Sequence, residues 1–180
     1  MLILEGHGII LRSLDENSAE LLRKWRNQKK IRQWMQYQKL ISKEEQQKWF
    51  KNLDNSSAYF IIYYRQSAIG MTHLGQIQKE EKVADAGLFI ADLSFHGTGV
   101  ALGASLLLLD YAFGQLELEK VTAKVAQENI KAIQYNELLG FQLEKKLNEG
   151  FLLFGLDKSV FEKKKSFLEK LASFNHSSLD

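Results

Sequence analysis

The stretch "FHGTGVALGASL", residues 95–106, constrains the fold more than any other part of the chain. It places Gly97, Gly99 and Gly103 directly before the apolar run "LLLLDYAF", which predicts a turn and then a helix over about residues 102–115. The segment before it, "VADAGLFI", has the pattern of a strand. Glycines let a ligand approach the backbone, and free N–H groups at a helix start attract anions, so this junction is a candidate phosphate site. The alternative is an ordinary turn between a strand and a helix.

The composition indicates one globular domain and excludes several classes of function. The chain has 180 residues, no cysteine, and a net charge of +2 from 24 basic and 22 acidic residues. Without cysteine there is no disulfide scaffold, no thiolate zinc site and no cysteine nucleophile. The small positive surplus argues against a nucleic-acid partner. The apolar run is too short to span a bilayer and the first residues lack the basic lead of a secretion signal, so we expect a cytoplasmic protein without a membrane partner.

The order of the predicted elements indicates an α+β (mixed α/β) architecture around one sheet. A first strand in "GIILRSL" precedes two helices. Asp15 and Asn17 offer caps for the first helix, and Ser42 with Glu45 forms a capping box for the second. A run of strands follows, and then strand, helix, strand, helix and two late strands before an amphipathic last helix. We expect a single domain over residues 1–174 and a flexible tail over 175–180.

A second stretch, "NIKAIQYNELLGF", shares its pattern with a known family. Asn129, Ala132 and Tyr135 lie on a predicted helix that Gly140 closes before Phe141. Together with the run His96-Gly97-Thr98-Gly99-Val100-Ala101, this stretch resembles the GNAT superfamily of N-acetyltransferases, which use acetyl-coenzyme A. The resemblance implies a central twisted mixed sheet flanked by helices.

The resemblance also implies where the cofactor binds. The main-chain amides of the glycine turn would hold the pyrophosphate of coenzyme A, and the strand before it would pair with the pantetheine arm. The implied cofactor-binding residues are Leu88, Phe89, Ile90, His96, Gly97, Thr98, Gly99, Val100, Ala101 and Asn129. The family more often has arginine or glutamine in place of His96, and a histidine would hold phosphate more weakly at neutral pH. No metal is implied.

By the same resemblance, Tyr135 is the general acid that protonates the departing thiolate. The alternative is a half-buried core tyrosine.

The first half of the chain resembles a narrower group, the amino-sugar N-acetyltransferases of nonulosonic acid pathways such as the pseudaminic acid branch. The shared pairs are Arg26-Asn27, Trp34-Met35, Ile41-Ser42 and Glu44-Glu45. This resemblance implies a substrate site at Arg26, Asn27, Trp34, Met35 and Tyr37. The aromatic residues and the methionine would form a platform for a uracil ring or a sugar face, and Arg26 would bind phosphate or brace a loop. The alternative is a core Trp–Met pair with a surface arginine.

The general base departs from the pattern of that group. Lys124 stands where its members often have a glutamate, and Gln46 stands where some have a histidine. Neither lysine nor glutamine is suited to deprotonating an ammonium. Asp85, on the strand before the glycine turn, is the catalytic carboxylate that we expect, with a water chain or His73 as alternatives.

Three hypotheses for the function follow. The first is an acetyl-coenzyme A-dependent N-acetyltransferase that acts by direct transfer on a nucleotide-linked amino sugar, with a homodimer as an open option. The second is an acetyltransferase for a protein N-terminus of the ribosomal type or for a polyamine. The third is a non-catalytic module that binds acyl-coenzyme A. An acidic substrate groove would favour the second hypothesis, whereas a basic and aromatic groove would favour the first.

Overall fold

The computed structural model describes the backbone of residues 1–176 and the side chains of residues 1–173. Within that range the strands are β1 (Ile3–Gly6), β2 (Ile9–Ser13), β3 (Ala58–Tyr64), β4 (Ser67–Gln78), β5 (Val83–Ile90), β6 (Lys120–Ala126), β7 (Gln142–Lys146) and β8 (Phe151–Asp157). The α-helices are α1 (Glu16–Arg26), α2 (Lys29–Arg32), α3 (Lys43–Lys51), α4 (Val100–Asp110), α5 (Ile130–Leu139) and α6 (Lys158–His176). A π-helical turn, Tyr111–Gln115, extends α4.

Local side-chain signals determine where the first long helices begin. Asp15 accepts a 2.8 Å hydrogen bond from the Ser18 amide at the start of α1, and the Ser18 hydroxyl accepts one from the Asp15 amide. Ser42 and Glu45 make the same reciprocal pair at the start of α3, at 3.1 and 2.7 Å. These bonds satisfy amides that a helix leaves without internal acceptors. Asp15 and the capping box of Ser42 with Glu45 are confirmed, whereas Asn17, the other predicted cap, lies inside the first turn of α1.

The eight strands form one sheet in the order β1-β2-β3-β4-β5-β6-β8-β7. Every neighbouring pair is antiparallel except β5 and β6, which are parallel. The predicted mixed architecture, a sheet flanked by helices, is therefore confirmed.

The parallel pair separates halfway along its length. The register of β5 with β6 runs from Val83 opposite Lys120 to Ala86 opposite Ala123 and ends there. Both strands continue beyond that point, β5 to Ile90 and β6 to Ala126. The last part of β5 therefore has an open edge in the middle of the sheet, next to the glycine turn.

Helices cover the two faces of the sheet unequally. The main core lies under α4 and α6, and α4 is buried on nearly all sides because it packs between the sheet and α6. A smaller cluster of Leu22, Ile61 and Met71 lies under α1 and α3, with aromatic residues around it. Side chains alternate between faces along a strand, so β5 directs Asp85, Gly87 and Phe89 to one common face. Because Phe89 contacts Trp25 of α1, that face is the one under α1 and α3.

Two features at the ends of the chain complete the fold. The strand β1 forms a hairpin with β2 through the two-residue turn His7-Gly8, whose φ angles of 52° and 69° match the turn type that joins twisted strands. The helix α6 continues to His176, and residues 177–180, the rest of the predicted tail, lie outside the described residues. Among the described helices, none combines the length and hydropathy that a bilayer crossing requires.

Candidate active site

The glycine turn bares several main-chain amides at the start of α4. Gly97 and Gly99 both have a φ of 81°, and Gly99 is the residue that caps the helix. The first α-helical hydrogen bond of α4 is donated by the Gly103 amide to the Gly99 carbonyl, at 3.0 Å. The amides of Val100 and Ala101 precede it, so the helix offers them no acceptor. Their position at the positive end of the helix dipole suits a diphosphate.

Short hydrogen bonds hold this turn in shape. The Thr98 hydroxyl donates to the Phe95 carbonyl at 2.7 Å. His96 is exposed, and its Nε2 lies 3.2 Å from the carbonyl oxygen of Ile90, the last residue of β5. With the Nε2 tautomer, His96 therefore ties the turn to the open end of that strand.

A cavity of about 400 Å³ occupies the gap between the separated strands. Its walls include Ser105, Leu108 and Leu109 of α4 and Ala132, Tyr135 and Asn136 of α5. Its walls also include residues from the opposite face of the sheet, namely Arg26, Trp34, Met35, Tyr37, Tyr59, His73, Asp85 and Lys124. The cavity thus passes between β5 and β6 and connects the two faces. We call the first set of residues the helix end of the cavity and the second set the acceptor end.

At the helix end, Tyr135 is paired with a serine. The Tyr135 hydroxyl lies 2.7 Å from the Ser105 hydroxyl, and only 6% of Ser105 is exposed. Burial raises the pKa of the Tyr135 phenol, and the bond to Ser105 opposes that rise. The phenol is therefore protonated at neutral pH, which is the state that a general acid requires.

At the acceptor end, Asp85 is held between two side chains of β6. Its Oδ2 lies 3.6 Å from Lys124 Nζ, and Thr122 donates a 3.2 Å hydrogen bond to its Oδ1. Burial raises the pKa of the Asp85 carboxyl, and the Lys124 ammonium opposes that rise. Asp85 therefore lies in a partly dry cavity beside the Lys124 ammonium, which favours the ionised form of the carboxyl.

His73 lies beside Asp85 in a stack of rings. Its ring is parallel to that of Tyr59, with centroids 4.8 Å apart, and it covers Gly87 on the next strand. Burial lowers the pKa of His73 to about 4, and Arg26 adds to this effect. The imidazole is therefore neutral at pH 7, and its Nδ1 is buried without a hydrogen-bond partner among the described residues.

Arg26 reaches the same end of the cavity from the end of α1. Its Nε is buried and has no acceptor in the described part of the chain. Burial lowers the pKa of this guanidinium from its ordinary value, but arginine stays charged at any physiological pH. A buried guanidinium nitrogen without an acceptor, in a cavity wall, is a feature that an anionic ligand would complete.

The other residues predicted for the substrate site divide into two groups. Trp34, Met35 and Tyr37 line the cavity. Asn27 does not; its side chain makes two hydrogen bonds to the backbone of Ile41, at 2.8 and 2.9 Å, and so braces the loop between α2 and α3.

Among the remaining candidates, Asn129 lines the cavity and also caps α5, since its side chain accepts a 3.2 Å bond from the Ala132 amide. Gln46 is buried away from the cavity, where it donates to the Ala19 carbonyl at 3.0 Å. Leu88 and Phe89 line the cavity, and Ile90 ends the open edge of β5.

The sequence interpretation did not name Ser105, Tyr59 or Thr122 as residues of the site. Ser105 is the one hydroxyl in the apolar run of α4, and a polar side chain on a helix that is buried all round was the available signal. Tyr59 gave no such signal, because its place beside His73 depends on the register of β3 with β4.

Comparison with known proteins agrees with this geometry. The model of the acetyltransferase (GNAT) domain family matches residues 9–142. The acetyltransferase PseH of Campylobacter jejuni is 32% identical over 123 residues, which cover 67% of this chain and 74% of that protein. The chain spans between 30% and 86% of the length of the curated relatives that it matches.

Solved structures show the same fold. The spermidine N-acetyltransferase of Vibrio cholerae, in complex with CoA and spermine, has a TM-score of 0.78 at 23% identity, over 87% of this chain and 99% of that one. FdhC, described as a nucleotide-linked sugar GNAT, has a TM-score of 0.77 at 24% identity, over 96% of this chain and 98% of that one.

Proposed function

Because the chain belongs to the GNAT acetyltransferase family, we propose that it transfers an acetyl group from acetyl-coenzyme A to the amine of a nucleotide-linked amino sugar. Membership of the family makes the protein an acyltransferase with acetyl-coenzyme A as its cofactor. The acceptor is the part that we infer. The observation that carries it is the combination of two cations with aromatic side chains at the acceptor end of the cavity.

The residues of the glycine turn and of β5 fit coenzyme A. The bared amides of Val100 and Ala101 suit its diphosphate, and the positive φ of Gly97 and Gly99 shapes the turn around that group. The open edge of β5, from Gly87 to Ile90, suits the amide groups of an extended pantetheine arm, which would extend the sheet. When bound, acetyl-coenzyme A supplies an activated thioester.

The charge at the acceptor end favours an anionic acceptor. Arg26 and Lys124 face one carboxylate, Asp85, so this end carries a positive surplus. A polyamine would bring further positive charge to that surplus, and like charges at short range in a partly dry cavity repel strongly. A sugar nucleotide would bring phosphate groups to Arg26 and a flat base to Trp34 and Tyr37.

The residues that we propose as acid and base line opposite ends of the same cavity. Asp85 would accept the proton that the attacking amine loses, since its side chain lines the cavity. Tyr135 would donate a proton to the departing sulfur from the helix end.

A polyamine is the second candidate acceptor, because the structure of one relative contains spermine. The description of FdhC as a nucleotide-linked sugar GNAT supports the first candidate. The two candidates differ in charge, so Arg26 and Lys124 distinguish them.

Release of coenzyme A with matched acceptors tests the proposal. UDP-glucosamine and other UDP-linked amino sugars are compared with the same amino sugars without the nucleotide, with spermidine and with an N-terminal peptide. We expect turnover with at least one UDP-linked sugar and a much lower kcat/KM with its free sugar. In Arg26→Gln, that preference for the nucleotide should fall about tenfold or more. Faster turnover with spermidine than with any UDP-linked sugar would refute the proposed acceptor.

A further inference from the structure

We propose that Ser105 is a positioning residue for the acid: its hydroxyl donates to the Tyr135 oxygen and leaves the phenolic hydrogen free for the cavity. The inference rests on the proposed function, because it assigns a partner to the acid that is proposed there.

The pair is placed by two different helices. Ser105 lies on α4 and Tyr135 lies on α5, 30 residues further along, and their hydroxyl oxygens are 2.7 Å apart. Both residues line the helix end of the cavity. Ser105 is nearly fully buried, and hydrogen bonds in such surroundings are stronger than in water.

The number of hydrogens decides what the pair can do. A serine and a tyrosine each have one hydroxyl hydrogen, and each oxygen can also accept. If Tyr135 donated to Ser105, its hydrogen would be engaged inside the pair and withheld from a leaving group. If Ser105 donates, the phenolic hydrogen is left for a third atom in the cavity. Only the second arrangement is compatible with an acid at this position.

The proton transfer is balanced with Ser105 unchanged. The O–H bond of Tyr135 breaks and an S–H bond forms, while the electron pair stays on the phenolic oxygen. The Ser105 hydrogen bond to that oxygen strengthens as the negative charge develops, because bonds to ionised acceptors are the stronger ones. The phenol then regains a proton from solvent, which balances the one that the amine released.

A purely structural pair would look the same in the free protein. In that case the bond joins α4 to α5, and its loss weakens packing equally whether or not Tyr135 acts as an acid. The two roles are separated by asking whether Ser105 still affects the rate once the phenol is gone.

A double-mutant cycle with the full chain tests this role. Ser105→Ala, Ser105→Thr, Tyr135→Phe and the double variant Ser105→Ala/Tyr135→Phe are assayed with acetyl-coenzyme A and the UDP-linked amino sugar of highest turnover. We expect Tyr135→Phe to lower kcat about 100-fold and Ser105→Ala about tenfold, with little change in KM. Ser105→Thr, which keeps the hydroxyl, should recover most of the rate. In the Tyr135→Phe background, Ser105→Ala should have no further effect on kcat.

The free energy of unfolding without ligand is the second readout. The stability losses of the two single variants should not add in the double variant, because they remove the same bond. An equal loss of kcat from Ser105→Ala in both backgrounds, or no loss at all, would overturn the role of Ser105 alone. Full turnover by Tyr135→Phe would instead overturn the proposed acid, and the inference with it.

Discussion

The carboxylate of Asp85 lies 3.6 Å from the ammonium of Lys124, on the two parallel strands that separate at the cavity. The pair sits at the last part of the shared register, with Thr122 opposite Asp85 and Lys124 two residues further on the same face. A lysine is a poor proton acceptor at neutral pH, so its contribution to this site is its charge. That charge lowers the pKa of Asp85 against the effect of burial.

Removal of this charge should shift the acid limb of the pH–rate profile. Asp85 is useful as a base only when ionised, and Lys124 favours the ionised form. In Lys124→Met we therefore expect the acid limb of kcat/KM to move to higher pH. Other charged or titratable neighbours, namely Arg26, Tyr59 and His73, are unchanged in this variant. Kinetics from pH 5 to 9 with acetyl-coenzyme A and a UDP-linked amino sugar measure the shift.

Lys120→Met is the matched control, because Lys120 is on the same strand but pairs with Glu144 at the far side. An unshifted acid limb in Lys124→Met, or an equal shift in the control, would show that Asp85 is not the titrating base.

Affinity for coenzyme A should depend on the backbone of the glycine turn. In Gly97→Ala the new Cβ would meet no heavy atom within 4 Å among residues 1–176, so crowding is not the problem. The obstacle is the positive φ of 81°, because a residue with a side chain costs about 1–2 kcal/mol in the left-handed conformation. We expect calorimetry with coenzyme A to show a Kd about tenfold higher.

Gly114→Ala is the control for that variant, since Gly114 is equally uncrowded in the described structure and has no positive φ. Its Kd should match that of the unmodified chain. Equal affinity in Gly97→Ala would mean that the turn does not hold the diphosphate.

The sequence predicts those features of the fold that local chemistry encodes. Asp15 and Ser42 mark helix starts because a cap needs only a side chain and an amide three residues away. The strand β1 was missed because its four residues are too few to show the alternation of apolar and polar residues that marks a strand. The His7-Gly8 turn nevertheless determines its pairing with β2. The amphipathic pattern of α6 indicates Phe161, Phe167, Leu168 and Leu171 on one side of the helix. Phe161 and Leu168 are buried, but Phe167 is 57% exposed, because it is one residue and so about 100° away from Leu168.

The site depends more on pairings across space. The glycine turn could be recognised because Gly97 and Gly99 are neighbours in sequence. Ser105 with Tyr135, and Tyr59 with His73, meet only after helices pack and strands take their register. Asn27 and Gln46 illustrate the same limit, since their acceptors are backbone groups of distant segments that the sequence does not bring together.

The stability of the protein should fall in mild acid because of His73. Burial lowers its pKa to about 4, whereas an unfolded histidine has a pKa near 6.5. Between these two values the unfolded chain binds more protons, so stability is lost as the pH falls through this window. His73→Phe should remove about 2 kcal/mol of the difference in unfolding free energy between pH 7 and pH 5. Urea unfolding at both pH values measures it.

His96→Asn is the control for this pH dependence, because His96 is exposed at the surface. It should retain the difference seen in the unmodified chain. If His73→Phe also retained it, other groups would account for the acid sensitivity.

A row of rings ends against the bare backbone of Gly87, and this contact should be intolerant of a side chain. Trp49 meets the edge of Tyr59 with centroids 4.9 Å apart, and Tyr59 stacks on His73. A Cβ at Gly87 would collide with His73 Cε1, so the imidazole would have to move into Tyr59. We expect Gly87→Ala to lower the unfolding free energy by about 1–3 kcal/mol, as overpacking does.

Gly75→Ala is the matched control, because its Cβ would lie 3.6 Å from the same ring, an ordinary contact. The decisive measurement is the cost of Gly87→Ala in a His73→Ala background, where the ring is absent. The cost should largely disappear there, since the substituted methyl group then has no ring to displace. A cost that persists without the ring would place the strain in the backbone of β5 instead, and His73 would not be what requires glycine at this position.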